Sequence, residues 1–178
     1  MKNKSLLLII FMFFLSCNSK IINEYYESGE LSANGKIIDD LREGEWIVYY
    51  KSGKKLAIMN YIKGIPNGKL VKYYENGNIE SEGEYKDGKS HGVMLHYHEN
   101  GNLYSSLNYT NGLKDGEYQL FYNNGKILET GKYVLDKKLG PVITYNTDGT
   151  ILREKKYKGD EKTSSEMAME ILKALSNK

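Results

Sequence analysis

Three histidines, His91, His96 and His98, fall within eight positions of one another. His96 and His98 are two apart, a spacing that puts both on one face of a strand, where they could share a metal ion. Such a site would need a third ligand on that face, Glu75 or Glu99, and no recognised ligand spacing is met. His98 also stands where other copies of an internal repeat carry tyrosine, and His96 where they carry Val48, Lys72 and Leu120. Both read as positions within a packed array, and we expect no metal. The carboxylates Glu80, Glu82 and Glu84 alternate along one strand, so they share a face that carries Ser, Asn, Thr and Lys in other copies and reads as solvated. A glycosidase-type pair would need one carboxyl in an apolar pocket and a second across a cleft. There is no G-x-S-x-G, no H-E-x-x-H and no P-loop, and no nucleophile can be matched to a base. The chain is therefore expected not to be an enzyme, with no catalytic residue and no cofactor.

Composition narrows the partners. The chain has 178 residues, with 25 Lys+Arg against 23 Asp+Glu. Without Lys2 and Lys4 it balances at 23 against 23. A neutral chain has no overall field that would steer it to nucleic acid, and none is expected as a partner. The single cysteine, Cys17, excludes an intramolecular disulfide and a cysteine-built zinc site. It closes the segment MKNKSLLLIIFMFFLSC, in which Lys2 and Lys4 form a basic start and Leu6 to Leu15 an unbroken apolar run. That run is too short to cross a hydrocarbon core of roughly 30 Å as a helix. It fits the apolar region of an export signal, here residues 1–16. The cysteine after Ser16 resembles the lipobox of bacterial lipoproteins, although Phe14 stands where that family usually has leucine and Leu15 comes one place later. The resemblance implies that Cys17 becomes the N-terminus and carries acyl chains, which anchor a protein stably when two or more are present. Residues 17–24 would then be a lipidated start and short tether. Asn18, in place of the aspartate that favours inner-membrane retention, implies the outer membrane as destination.

The elements that hold these residues repeat every 24 positions. Gly44, Gly68, Gly92, Gly116 and Gly140 form one column, and Gly29, Gly53, Gly77, Gly101, Gly125 and Gly149 another. Gly64, Gly88 and Gly112 make a third, and Gly35, Gly83 and Gly131 a fourth, so nearly every glycine belongs to the repeat. Aromatics keep the same phase: Tyr25, Tyr49, Tyr73, Tyr97, Phe121 and Tyr145 in one column, Tyr61, Tyr85, Tyr109, Tyr133 and Tyr157 in another.

Within the unit 68–91, alternation predicts a strand from Lys69 to Glu75 and a return strand from Asn78 to Lys86. Asn76-Gly77 reads as a type I′ hairpin turn, in which both central residues have positive φ, and Asp87-Gly88 as the start of a second, longer turn. Each unit is then one β-hairpin. The expected fold is all-β: a repeat array of antiparallel hairpins forming an elongated meander of roughly a dozen strands over residues 25–160. The pattern G-x-[WLMYV]-x-x-Y-Y-x-[NS]-G followed by E-G-x-Y-x-[DN]-G resembles the bacterial variant of the MORN repeat. Proteins of this kind are often labelled YwqK-family antitoxins, and MORN-type arrays are linked to scaffolding and membrane association. Past the repeats, Thr163 to Glu166 reads as a capping box, with Met167, Ile171, Leu172 and Leu175 on one helical face. Residues 161–178 are expected to form a short capping α-helix over the last strand.

One face of each first strand should pack between hairpins and the other could remain open. The open-face candidates are Trp46, Tyr50, Tyr74, Tyr118 and Tyr122, because amphipathic aromatics are common binding anchors. The sequence leaves the choice of covered face undecided. The resulting expectation is a non-catalytic, lipid-anchored envelope protein whose tyrosine-rich surface binds a protein or an envelope glycan. The alternative is an antitoxin or immunity-type protein that neutralises a toxin by direct binding.

Overall fold

The computed structural model describes residues 18–158. The leader, Cys17 and the C-terminal helix expected over 161–178 lie outside the described residues. Twelve strands follow in order: β1 (Ser19–Tyr25), β2 (Leu31–Ile38), β3 (Leu41–Tyr49), β4 (Lys55–Ile62), β5 (Ile65–Tyr73) and β6 (Ile79–Lys86). The series continues with β7 (Lys89–Tyr97), β8 (Leu103–Thr110), β9 (Leu113–Phe121), β10 (Ile127–Val134), β11 (Lys137–Tyr145) and β12 (Ile151–Tyr157). They form one sheet in sequence order, every neighbour antiparallel, as the hairpin repeat requires. The sheet begins at Ser19, within the stretch 17–24 expected to be a tether.

The two turns of each unit are interchanged relative to the sequence expectation. Asp87 (φ 50) and Gly88 (φ 77) are both left-handed, and Lys86 faces Lys89 directly. This is the two-residue type I′ hairpin, whose twist matches that of the flanking strands. The Asn76-Gly77 pair belongs instead to the longer turn. The Gly77 amide donates to the Tyr74 carbonyl (2.9 Å), and the Tyr74 amide donates to the Asn78 carbonyl (2.8 Å). Only Gly77 is left-handed there (φ 95). The Asn76 side chain accepts the Asn78 amide at 2.9 Å, so asparagine closes the turn through its carboxamide without itself taking positive φ.

The strand boundaries move for the same reason. With a tight turn at Lys63-Gly64, β5 starts at Ile65, and Gly68 lies inside the strand instead of before it. There the ladder slips between Met59↔Leu70 and Tyr61↔Pro66, a bulge that the left-handed Gly68 (φ 102) accommodates.

Trp46, Leu70, Met94, Tyr118 and Val142, spaced 24 apart, are all buried. No second layer covers them among the described residues. Their burial comes from the fourth glycine column, which lacks a side chain beneath them. A Cβ at Gly35 would collide with the Trp46 ring, one at Gly83 with Met94 Sδ, and one at Gly131 would lie 2.8 Å from Tyr118 Cε1. The large side chain therefore lies down on bare backbone and is walled in by neighbours such as Ile37, Val48 and Tyr61. The core is mainly a line one residue thick running along one face, with Val71, next to Leu70 on β5, buried on the other.

Candidate binding surface

That core line removes two of the expected surface residues. Trp46 is fully buried, donates Nε1 to the Lys36 carbonyl at 2.9 Å and carries Arg42 on its ring at 4.0 Å. Tyr118 is 2 % exposed. Both are core, because each packs onto a glycine of the neighbouring strand. Tyr50, Tyr74 and Tyr122 are half-buried, and their hydroxyls donate to the carbonyls of Tyr73, Tyr97 and Tyr145, each at 2.7 Å. Tyr26 does the same to Tyr49. Each rung reaches 23 residues on, so these tyrosines bolt one hairpin to the next. Burial, with a further contribution from the charge of Glu80, raises the Tyr74 phenol above its ordinary range.

His98 occupies a rung of this ladder. Its shorter ring leaves Nε2 buried with no partner, and it meets Tyr104 edge-on at 5.1 Å. His96 lies between Ser81 and Ser105 in the ladder, and burial lowers its pKa. Among the described residues no three of His, Cys, Asp and Glu stand together as metal ligands. The three glutamates also part company. The register break beside Ile79 leaves Glu80 out of the ladder, and its carboxylate takes Lys72 Nζ at 3.0 Å. Glu82 accepts the Tyr97 hydroxyl at 2.8 Å, and burial together with that bond pushes the phenol up to about 12. Glu84 is exposed, at the rim of a shallow open depression of about 270 Å³ that Glu82, Lys69 and Val93 also line.

What the core face leaves accessible is its other aromatic column. Tyr61, Tyr85, Tyr109, Tyr133 and Tyr157 are each half-buried and lie two strands apart, about 10 Å. Cations stand among them. Arg42 is 5.5 Å from the Tyr61 ring, Lys114 5.3 Å from Tyr133, Lys138 5.9 Å from Tyr157 and Lys155 4.5 Å from Tyr157. Arg42 is held by a two-pronged bond to Glu24 (2.9 and 3.0 Å). Lys138 is held by Glu129 at 2.7 Å, and Glu129 also accepts the Tyr118 hydroxyl at 2.6 Å. Burial and the Glu129 bond push the Tyr118 phenol up to about 12. On Glu129 burial acts upward, but the bonds from Lys138 and Tyr118 outweigh it and hold the carboxyl below its ordinary range. Neither this tyrosine column nor Glu129 and Lys138 is among the surface residues expected from the sequence. A signal was present: Glu129 replaces the Ala33, Ala57, Ser81 and Ser105 of its column.

Four consecutive segments, residues 42–63, 66–87, 90–111 and 114–134, match the model of the MORN repeat variant. The chain belongs to the MORN repeat variant family. Each matched segment starts just after a tight turn, spans the glycine bulge and the aromatic pair that is Tyr49-Tyr50, Tyr73-Tyr74, Tyr97-His98 or Phe121-Tyr122, and ends at or just before the next tight turn. No curated protein sequence matches the chain. A solved structure from Bacteroides fragilis, described as a protein with unknown function, is 10% identical and covers 79% of this chain and 94% of its own. Its TM-score of 0.16 is too low to inform on fold or function.

Proposed function

We propose that this MORN repeat variant protein is a non-catalytic envelope protein, anchored by lipid on Cys17, whose repeat sheet serves as a scaffold or binding surface for a protein or another envelope component. The observation that carries the binding reading is the row of half-buried tyrosines interleaved with Arg42, Lys114, Lys138 and Lys155 on one open face. Such a row offers flat apolar rings, hydroxyls and positive charge at a regular spacing, on elements held rigid by ladder hydrogen bonds. A shallow face of this kind suits an extended partner better than a small substrate. The anchor rests on the apolar leader and the placement of the one cysteine.

Two measurements test the reading. A fatty-acid probe followed by membrane fractionation should label the wild type in the membrane and leave Cys17→Ala unlabelled and released. An unlabelled, full-length, soluble wild type would refute the anchor. Photo-crosslinking groups placed at Tyr133 and Tyr157 in intact cells should give a discrete adduct absent from a control at the turn residue Lys126. Identical patterns from all three positions would refute the binding face.

A further inference from the structure

The two ends of the sheet are complementary. β1 and β12 each have one ladder neighbour, so each presents an unpaired row of backbone donors and acceptors among the described residues. The four most exposed large apolar side chains all lie on these two strands: Ile21 (72%) and Tyr25 (60%) on β1, Ile151 (60%) and Leu152 (61%) on β12. The ends also differ in charge. Residues 18–45 carry seven carboxylates against three basic side chains, whereas residues 137–158 carry six basic side chains against two carboxylates.

The repeat itself supplies a register. β12 lies five repeats after β2, and β1 lies one repeat before β3. In the β2–β3 ladder Ala33 faces Val48 and Asn34 faces Ile47. Carried over to β12 and the β1 of a second chain, that register sets Arg153 opposite Glu24 and Glu154 opposite Asn23. One step along, Leu152 comes beside Tyr25. Arg153 is exposed, and Glu24, already gripping Arg42, retains acceptor sites on its carboxylate for a second cation.

We infer that copies of this chain associate head to tail, β12 of one against β1 of the next, so that the 24-residue repeat runs on across the junction. The contact is heterologous, and because nothing in an open meander closes it, it builds a linear array instead of a symmetric dimer. This inference is independent of what the tyrosine face binds.

The test is sedimentation of the full chain in a density-matched non-ionic detergent. The wild type should rise in mass beyond a dimer with concentration and fall back at high salt, since the junction pairs opposite charges. Arg153→Glu, which sets like charges face to face, should be monomeric. So should Tyr25→Lys, which sets a cation beside Leu152 and Arg153. Both positions are exposed, so far-UV circular dichroism should match the wild type. Mixed one to one, the two variants should form a dimer and nothing larger, because each retains the end the other has lost. The inference fails if the wild type stays monomeric throughout, which would mean that the edge is covered from within the chain. It also fails if assembly ignores Arg153→Glu, if either variant dimerises alone, or if the mixture stays monomeric.

Discussion

The broken rung at His98 gives the sharpest test of how successive hairpins are held. Tyr26, Tyr50, Tyr74 and Tyr122 each donate to a carbonyl 23 residues on, all at 2.7 Å. The matching carbonyl for position 98 is that of Phe121, and histidine leaves Nε2 buried and unpaired. His98→Tyr should add one hydrogen bond, about 1 kcal/mol net, and remove an unsatisfied buried nitrogen costing roughly 1–3 kcal/mol. The expected gain is about 2–4 kcal/mol. His98→Phe separates the two contributions, because it removes the orphan nitrogen without making the bond. Tyrosine should therefore exceed phenylalanine by about 1 kcal/mol, the amount Tyr74→Phe should lose. Urea unfolding followed by far-UV circular dichroism measures all three variants, with an unchanged denaturant slope as the check that only stability moved. If His98→Tyr and His98→Phe are equally stable while Tyr74→Phe is destabilised, the rung at 98 does not close and the repeat-to-repeat argument fails there.

Three further perturbations probe the core line, its polar inset and its protons. Gly83→Ala drives a Cβ into Met94 Sδ at a position of ordinary φ, so the cost is overpacking, about 1–3 kcal/mol, offset by only a few tenths from reduced unfolded-chain entropy. A calorimetric melting temperature at or above wild type would show that the Met94 side chain simply moves aside. Lys138→Met leaves Glu129 partly buried beside Tyr118 without its cation and should cost about 2 kcal/mol, and adding Glu129→Ser, the residue at the same place in two other repeats, should recover most of it; no recovery in urea titrations would refute the pairing. His96 has its pKa lowered by burial, so between that value and the unfolded value near 6.5 the unfolded chain binds the extra proton. Stability should therefore fall as pH drops below about 6.5, and the His96→Leu variant, matching Leu120 in the same column, should have a shallower slope between pH 7 and 5; parallel stability–pH curves for the two proteins would sink that assignment.

Much of the architecture was legible in the chain because it depends only on period. Four glycine columns and the aromatic columns locked to them imply hairpins, and hairpins of constant length imply a sequential antiparallel meander. The turn types were not legible. Asn76-Gly77 and Asp87-Gly88 are alike as dipeptides, and what separates them is which residues pair across the gap: Lys86 with Lys89 directly at one, Tyr73 with Ile79 at the other. Pairing is a property of two strands and is written in neither turn alone.

The sequence by itself therefore determined the repeat, the all-β class and the number and direction of the strands, because these follow from spacing along one chain. Only the tertiary structure decided which aromatics are buried. Alternation assigns Trp46 and Tyr118 to a face but is unchanged if that face is turned from solvent to core. Their burial depends on Gly35 and Gly131 lying beneath them on adjacent strands. The carbonyls that receive the tyrosine rungs, and the cation that meets Glu129, are likewise neighbours in space at separations the chain does not mark.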